Sequence, residues 1–167
     1  MLILQNPKDD YATQFLSVKP TLADILPQAE IHHIGSTAVP GLGGKGIIDI
    51  LVAIPDWSEK LSAVEKIKSL GYLHIHPEER ERIFMSRVGD TKAGDVHIHL
   101  THIGSSQYQT LLSFRDYLLS HPDKVEEYGD GKVAWLKQAE GDRKIYGRLK
   151  SQWIEEQLHS IKFKMLS

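Results

Sequence analysis

Residues 32–54, HHIGSTAVPGLGGKGIIDILVAI, constrain this chain more than any other stretch. A short β-branched run, a glycine-rich loop and a longer apolar run follow one another. The second run, IIDILVAI, is almost continuously apolar and ends at Pro55, which predicts a strand buried on both faces. It holds one acid, Asp49.

The remaining pattern places that strand in a sheet with helices on it. Tyr11, Phe15, Val18, Leu22 and Ile25 fall at helical spacing, with Pro20 predicting either a kink or two short helices. EIHHIG reads as a strand. SEKLSAVEKIKSLG reads as a helix with Leu61, Val64, Ile67 and Leu70 inward, Ser58 as its cap and Gly71 at its end. YLHIH, RIFMSRV and DVHIHLTHI read as strands, and GDTKAGD as a turn. After Gly104 the pattern is helical, with Pro122 suited to a first turn and Asp142 to an N-cap. The fold class expected is α+β, a mixed sheet with helices packed on it. One domain is expected over 1–167, with the sheet core in 1–104 and a helical part in 105–167.

Charge and composition remove several functions. There is no cysteine, so thiolate chemistry and disulfides are excluded. A formal net charge of −2 argues against a basic nucleic-acid binder. No run approaches the ~18 apolar residues of a membrane span, and the start lacks a basic leader, so a cytoplasmic protein is the default expectation.

Two phosphate motifs fail. Gly41, Gly43 and Gly46 have dinucleotide-fingerprint spacing, but a strand follows where a helix is needed. A P-loop would need glycine at Val39 and a hydroxyl residue at Gly46. A third arrangement fits: Gly35 lets a phosphate approach the backbone, Ser36 and neighbouring N–H groups hold its oxygens, and Asp49 carries a divalent cation bridging the phosphates. The competing reading is a hairpin loop and a strand with one polar residue. DVHIHL puts Asp95, His97 and His99 on one strand face. Imidazoles bind transition metals well and magnesium poorly, so an Asp49–His97–His99 set favours manganese, zinc or iron. His97 or His99 has the intrinsic pKa of a general base, with His99 the candidate paired with Asp49. His33 shares a face with Gly35, but packing is its simpler role. Lys45 precedes the Asp49 strand. Arg82 and Arg87 lie on a strand expected to pair with DVHIHL, where Arg82 is a candidate phosphate ligand. Arg115 is a candidate partner of Asp116.

HIGSTAVPGL, IIDILV, HIHL, FRDYLLSHP and the spaced Tyr…Lys pairs resemble the GrpB family (UPF0157-type), over about residues 10–160. The resemblance implies a nucleotidyltransferase-like core with a helical C-terminal third. It implies that Gly35 and Ser36 correspond to the Gly-Ser signature that grips a nucleoside triphosphate. Asp49 then resembles the first metal-binding carboxylate, and Lys132 and Lys150 are the helix lysines that reach the phosphates. It also exposes a departure: the superfamily pairs two acids two residues apart on this strand, and here the second position is Leu51. The expected function is therefore metal-dependent nucleotide transfer to a small-molecule acceptor, with magnesium or manganese, or zinc, as cofactor. Leu51 leaves open whether the chain is an enzyme. The alternatives are a non-catalytic nucleotide- or metabolite-binding module and a histidine-dependent metal hydrolase on the same fold. A nucleoside triphosphate or related small molecule is the expected partner; oligomeric state is not readable.

Overall fold

The computed structural model describes residues 10–87 and 96–166, with side chains at all of these except 75 and 161–166. Five strands form one sheet in the order β1-β2-β5-β4-β3: β1 Glu30–Ile34, β2 Ile48–Ile54, β3 Leu73–Glu79, β4 Arg82–Arg87 and β5 Val96–His102. The β2–β5 pair is parallel and the other pairs are antiparallel, so the sheet is mixed. Helices α1 Tyr11–Ile25 and α2 Lys60–Ser69 belong to the first part of the chain. Helices α3 Ser106–Ser120, α4 Pro122–Gln138 and α5 Arg143–Leu166 follow the last strand.

The alternation along β2 explains why the sheet is covered twice. Ile48, Ile50, Val52 and Ile54 point to one face, where they join Val96, Ile98, Leu100, Ile83 and Met85 against Tyr11, Phe15 and Leu22 of α1 and Ala63, Val64 and Ile67 of α2. Leu51 and Ala53 point to the other face and are also fully buried, because α3 packs there. Fully burying each such aliphatic side chain contributes about 1.5–3 kcal/mol, which fixes the register of the strand. Asp49 shares the face of Leu51 but lies at the entry end of β2, and its side chain keeps 27% of its exposure.

A second apolar cluster holds the β1–β2 loop. Val39 and Leu42 from the loop pack with Leu118 of α3 and Tyr128 of α4, and Phe114, Trp135 and Trp153 close around them. Tyr128 stacks on Trp153 at 4.9 Å and meets Phe114 edge-on at 5.5 Å. The two tryptophans thus anchor the helical layer.

Local features mostly follow the expected chemistry, with two corrections. Pro20 lies inside a single continuous α1. Pro122 occupies the first turn of α4, and Asp142 accepts from the Lys144 and Ile145 N–H groups as the cap of α5. Before α2, however, the cap is Asp56, whose side chain accepts from Ser58 N–H and opens a short 3-10 turn; Ser58 is the donor. Leu61 is not inward but 70% exposed, because the buried stripe of α2 centres on Ala63, Val64 and Ile67 and Leu61 lies at its side. The GDTKAGD turn and Asp95 lie outside the described residues.

Gly35 ends β1 with φ +70° and ψ −167°, a conformation open in practice to glycine alone. A Cβ there would lie 2.6 Å from Asp49 Oδ2 and 3.0 Å from Asp49 Cβ. Gly41, also at positive φ (+78°), would meet nothing within 4 Å. Gly35→Ala is accordingly expected to cost about 2 kcal/mol or more, against about 1 kcal/mol for Gly41→Ala. Urea melts of the two variants check this, and equal losses would contradict the close approach.

A lysine-rich cleft around Asp49

Strand pairing brings the distant parts of the cleft together. Antiparallel β1–β2 register sets Ile34 opposite Asp49, so Gly35 and Ser36 emerge beside the carboxylate. Parallel β2–β5 register sets His97 beside Asp49 and His99 beside Leu51. The loop, pinned through Val39 and Leu42, then returns over α4 and delivers Ser36 and Gly43 to Lys132.

The result is a cleft of about 190 Å³. Ser36, Lys45, Asp49, His97, His99, Lys132 and Lys150 line it, together with Thr37, Gly44, Ile47 and Tyr146. Lys132 is 3% exposed. Its ammonium donates to Ser36 Oγ at 2.9 Å and to the Gly43 carbonyl, and lies 4.9 Å from the centre of the Tyr128 ring. Lys45 Nζ lies 5.5 Å from the centre of the Tyr146 ring.

Burial and crowding of like charges set the electrostatics. Burial, then the Lys150 charge, pushes the Lys132 ammonium down to about 7. The same two causes in the same order lower Lys45. Lys150 is held above the usual lysine value, by the Tyr128 oxygen first and Asp49 behind it, against its own burial. Burial pushes the Asp49 carboxyl up, but hydrogen bonds from His97 and His99 outweigh it and hold Asp49 well below the usual carboxylate range. Asp49 is therefore an ionised acceptor. His97 Nδ1–H donates to its Oδ1 at 3.2 Å, and His99 Nε2–H reaches the same oxygen at a weak 3.4 Å. Phe84 meets both imidazole rings edge-on, at 4.8 and 5.3 Å.

The two histidines differ in their second nitrogen. His99 has its second nitrogen, Nδ1, buried without a hydrogen-bond partner among the described residues. A base needs an accessible lone pair, so His97 suits that role better than His99. The pairing also bears on a metal. A nitrogen that gives its proton to Asp49 has no lone pair for an ion. Among the described residues, no group of three or more His, Asp or Glu side chains could hold a metal ion. Position 51, where the family resemblance implies a second acid, is the fully buried Leu51. The described residues thus do not fit a preformed centre built on Asp49, His97 and His99.

Other candidates lie elsewhere. Arg82 shares the sheet face of His97 and His99 but stands at the opposite end, because antiparallel β4 places Ile83 across from Leu100. It lines a separate groove with Glu79 and Gln107 and is not in the cleft. Arg87 is on the other face, with its guanidinium 5.0 Å from the Tyr72 ring centre. Arg115 pairs with Asp116 and donates to the His33 carbonyl. His33 stacks on Phe15 at 4.9 Å, hydrogen-bonds Thr37 Oγ1 at 2.9 Å, and is pushed down to about 4 by burial; it is a packed neutral imidazole. Gly44, rather than Gly35, lines the cleft, and Gly35 acts by admitting Asp49 against the backbone.

The spaced Tyr…Lys pairs covered Tyr128 without its being named, and Phe84 was not singled out. The spacing held a signal for the first. Tyr128 precedes Lys132 by four residues, as Tyr146 precedes Lys150, so each helix presents an aromatic ring and an ammonium on one face. Nothing local marked Phe84, whose place follows from β4–β5 register.

Comparison with known proteins agrees with this architecture. The family model described as GrpB protein matches residues 2–160. A UPF0157 protein of Pseudomonas aeruginosa is 33% identical over 146 residues, spanning 86% of this chain and 59% of that protein, so the chain spans little more than half the length of this relative. The Glutamate-rich protein GrpB of Alkalihalophilus pseudofirmus is 28% identical over 170 residues, with 96% and 95% covered. The crystal structure of conserved protein GrpB from Enterococcus faecalis superposes with a TM-score of 0.75 at 23% identity, covering 93% of this chain and 99% of that one. The GLD-2/RNP-8 complex gives a TM-score of 0.58 at 11% identity, covering 89% of this chain and 59% of that one, a likeness of fold alone. The fold is that of the nucleotidyltransferases. No helix among the described residues is long and apolar enough to cross a membrane. With the family model matching nearly its whole length, the chain belongs to the GrpB family.

Proposed function

We propose that the cleft binds the polyphosphate of a nucleoside triphosphate. The observation that carries this reading is the Lys132 ammonium, buried yet joined to Ser36 Oγ and the Gly43 carbonyl, in a cleft that Lys45 and Lys150 also line. An ammonium has three donors, and two of them tie down the loop. The third, with the Ser36 hydroxyl and the neighbouring ammoniums, suits the oxygens of a phosphate chain. Among the described residues one carboxylate, Asp49, lines the cleft with these cations, and that lining favours an anion over a cation.

A second reading, transfer of the nucleotidyl group to a hydroxyl acceptor, is favoured by the Asp49–His97 hydrogen bond. With Nδ1–H given to Asp49, the lone pair of His97 is on Nε2. Nε2 would take the acceptor proton as the acceptor oxygen bonds to the α-phosphorus, and the bond to pyrophosphate would break. His97→Gln should then abolish pyrophosphate release from a nucleotide and a mixed acceptor pool, while nucleotide binding changes less than about threefold. Unchanged turnover in His97→Gln would remove the imidazole from the reaction.

Binding itself is tested by calorimetry with ATP and with adenosine. ATP is expected to bind and adenosine to bind at least tenfold more weakly. A phosphate beside Lys132 favours its charged form, so binding takes up a proton. The affinity is level below about pH 7 and falls as pH rises above it, since Lys132 titrates at about 7 before the anion binds. Lys132→Met should weaken binding and remove that slope. Equal affinity for adenosine and ATP would contradict the polyphosphate site.

A further inference from the structure

The fold leads one to expect divalent ions shared between two carboxylates, and this chain departs from that expectation at three points. The second carboxylate position is the fully buried Leu51. Both imidazoles that stand near the remaining carboxylate direct a nitrogen at Asp49 Oδ1. Asp49 Oδ2 lies so close to Gly35 that a Cβ there would be 2.6 Å away. One oxygen is thus engaged by rings, and the other is against the backbone. What the cleft has in quantity is ammonium: Lys45, Lys132 and Lys150.

We propose that the cleft takes its polyphosphate as the bare anion, with Lys45, Lys132 and Lys150 supplying the countercharge that divalent ions supply elsewhere on this fold. The inference rests on the polyphosphate reading and goes beyond it. A triphosphate without magnesium carries more negative charge than its magnesium complex, and the three ammoniums and one carboxylate that line the cleft among the described residues match the bare form better. The ammoniums also strain against one another: the Lys150 charge lowers both Lys45 and Lys132. An anion between them relieves that repulsion, whereas an added cation increases it. Asp49 in this account is the anchor of His97 and His99 and needs no ion.

The test is calorimetry on the full chain with inorganic tripolyphosphate and with ATP, each in excess EDTA and in excess magnesium. Both probes are expected to bind in EDTA, as tightly as in magnesium or more so. Lys150→Gln, at a half-buried position less critical to folding than Lys132, is expected to weaken binding about tenfold or more. Asp49→Asn removes the Asp49 charge and is expected to bind tripolyphosphate at least as tightly as the unaltered chain. Binding that appears only with magnesium, or that disappears in Asp49→Asn with the fold intact by circular dichroism, overturns the proposal while leaving the polyphosphate site standing. Absence of binding under both conditions overturns the site and the proposal together.

Discussion

A buried ammonium, tied to a loop by two hydrogen bonds, organises this molecule. Lys132 comes from α4, and its partners Ser36 and Gly43 come from the two ends of the β1–β2 loop. It joins the loop to the helical layer beside the contacts of Val39 and Leu42 with the aromatic cluster and of Lys45 with the Tyr146 ring. Burying an unpaired lysine charge is costly, and here two oxygens and the Tyr128 ring face compensate it in part. The remaining cost shows in the low pKa. A group held in this way is poised: a small change in the local charge changes its protonation, and an anion is the change the surroundings favour.

The two halves of the chain divide the work. The sheet, packed on α1 and α2, fixes Asp49, His97 and His99 by strand register, with the close approach at Gly35 setting how near the carboxylate comes to the loop. The C-terminal helices contribute Lys132 and Lys150, each one turn beyond a tyrosine on the same helix face, and the β1–β2 loop contributes Lys45. The cleft exists only where these two layers face each other. Membership of the GrpB family is consistent with such a two-layer design, since the family model spans both layers. The nucleotidyltransferase fold supplies the frame, and fold alone does not supply the reaction.

How much of this was legible beforehand differs by residue. Ser36 and Asp49 could be brought together from sequence because a strand, a loop and a strand of opposite direction return the chain to its starting point, and the structure pairs Ile34 with Asp49. His97 and His99 share a face by period two, and parallel pairing made them neighbours of Asp49. Arg82 went astray for the complementary reason. Its face was readable, but its end of the sheet depended on the direction of β4, which no local pattern encodes. Lys132 and Lys150 were assigned through family resemblance; the helical spacing to Tyr128 and Tyr146 carries the same information in physical form. Leu61 failed as a core residue because α2 buries the side that holds Ala63, Val64 and Ile67, and periodicity alone does not say which side of a helix the sheet will cover.

The most direct measurement is a carbon-13 NMR titration of the Lys132 side chain, alone and with inorganic tripolyphosphate. The account predicts a midpoint near 7 for the protein alone and a clear upward shift when the anion is added. A midpoint near the ordinary lysine value of about 10.4, unmoved by tripolyphosphate, would contradict it.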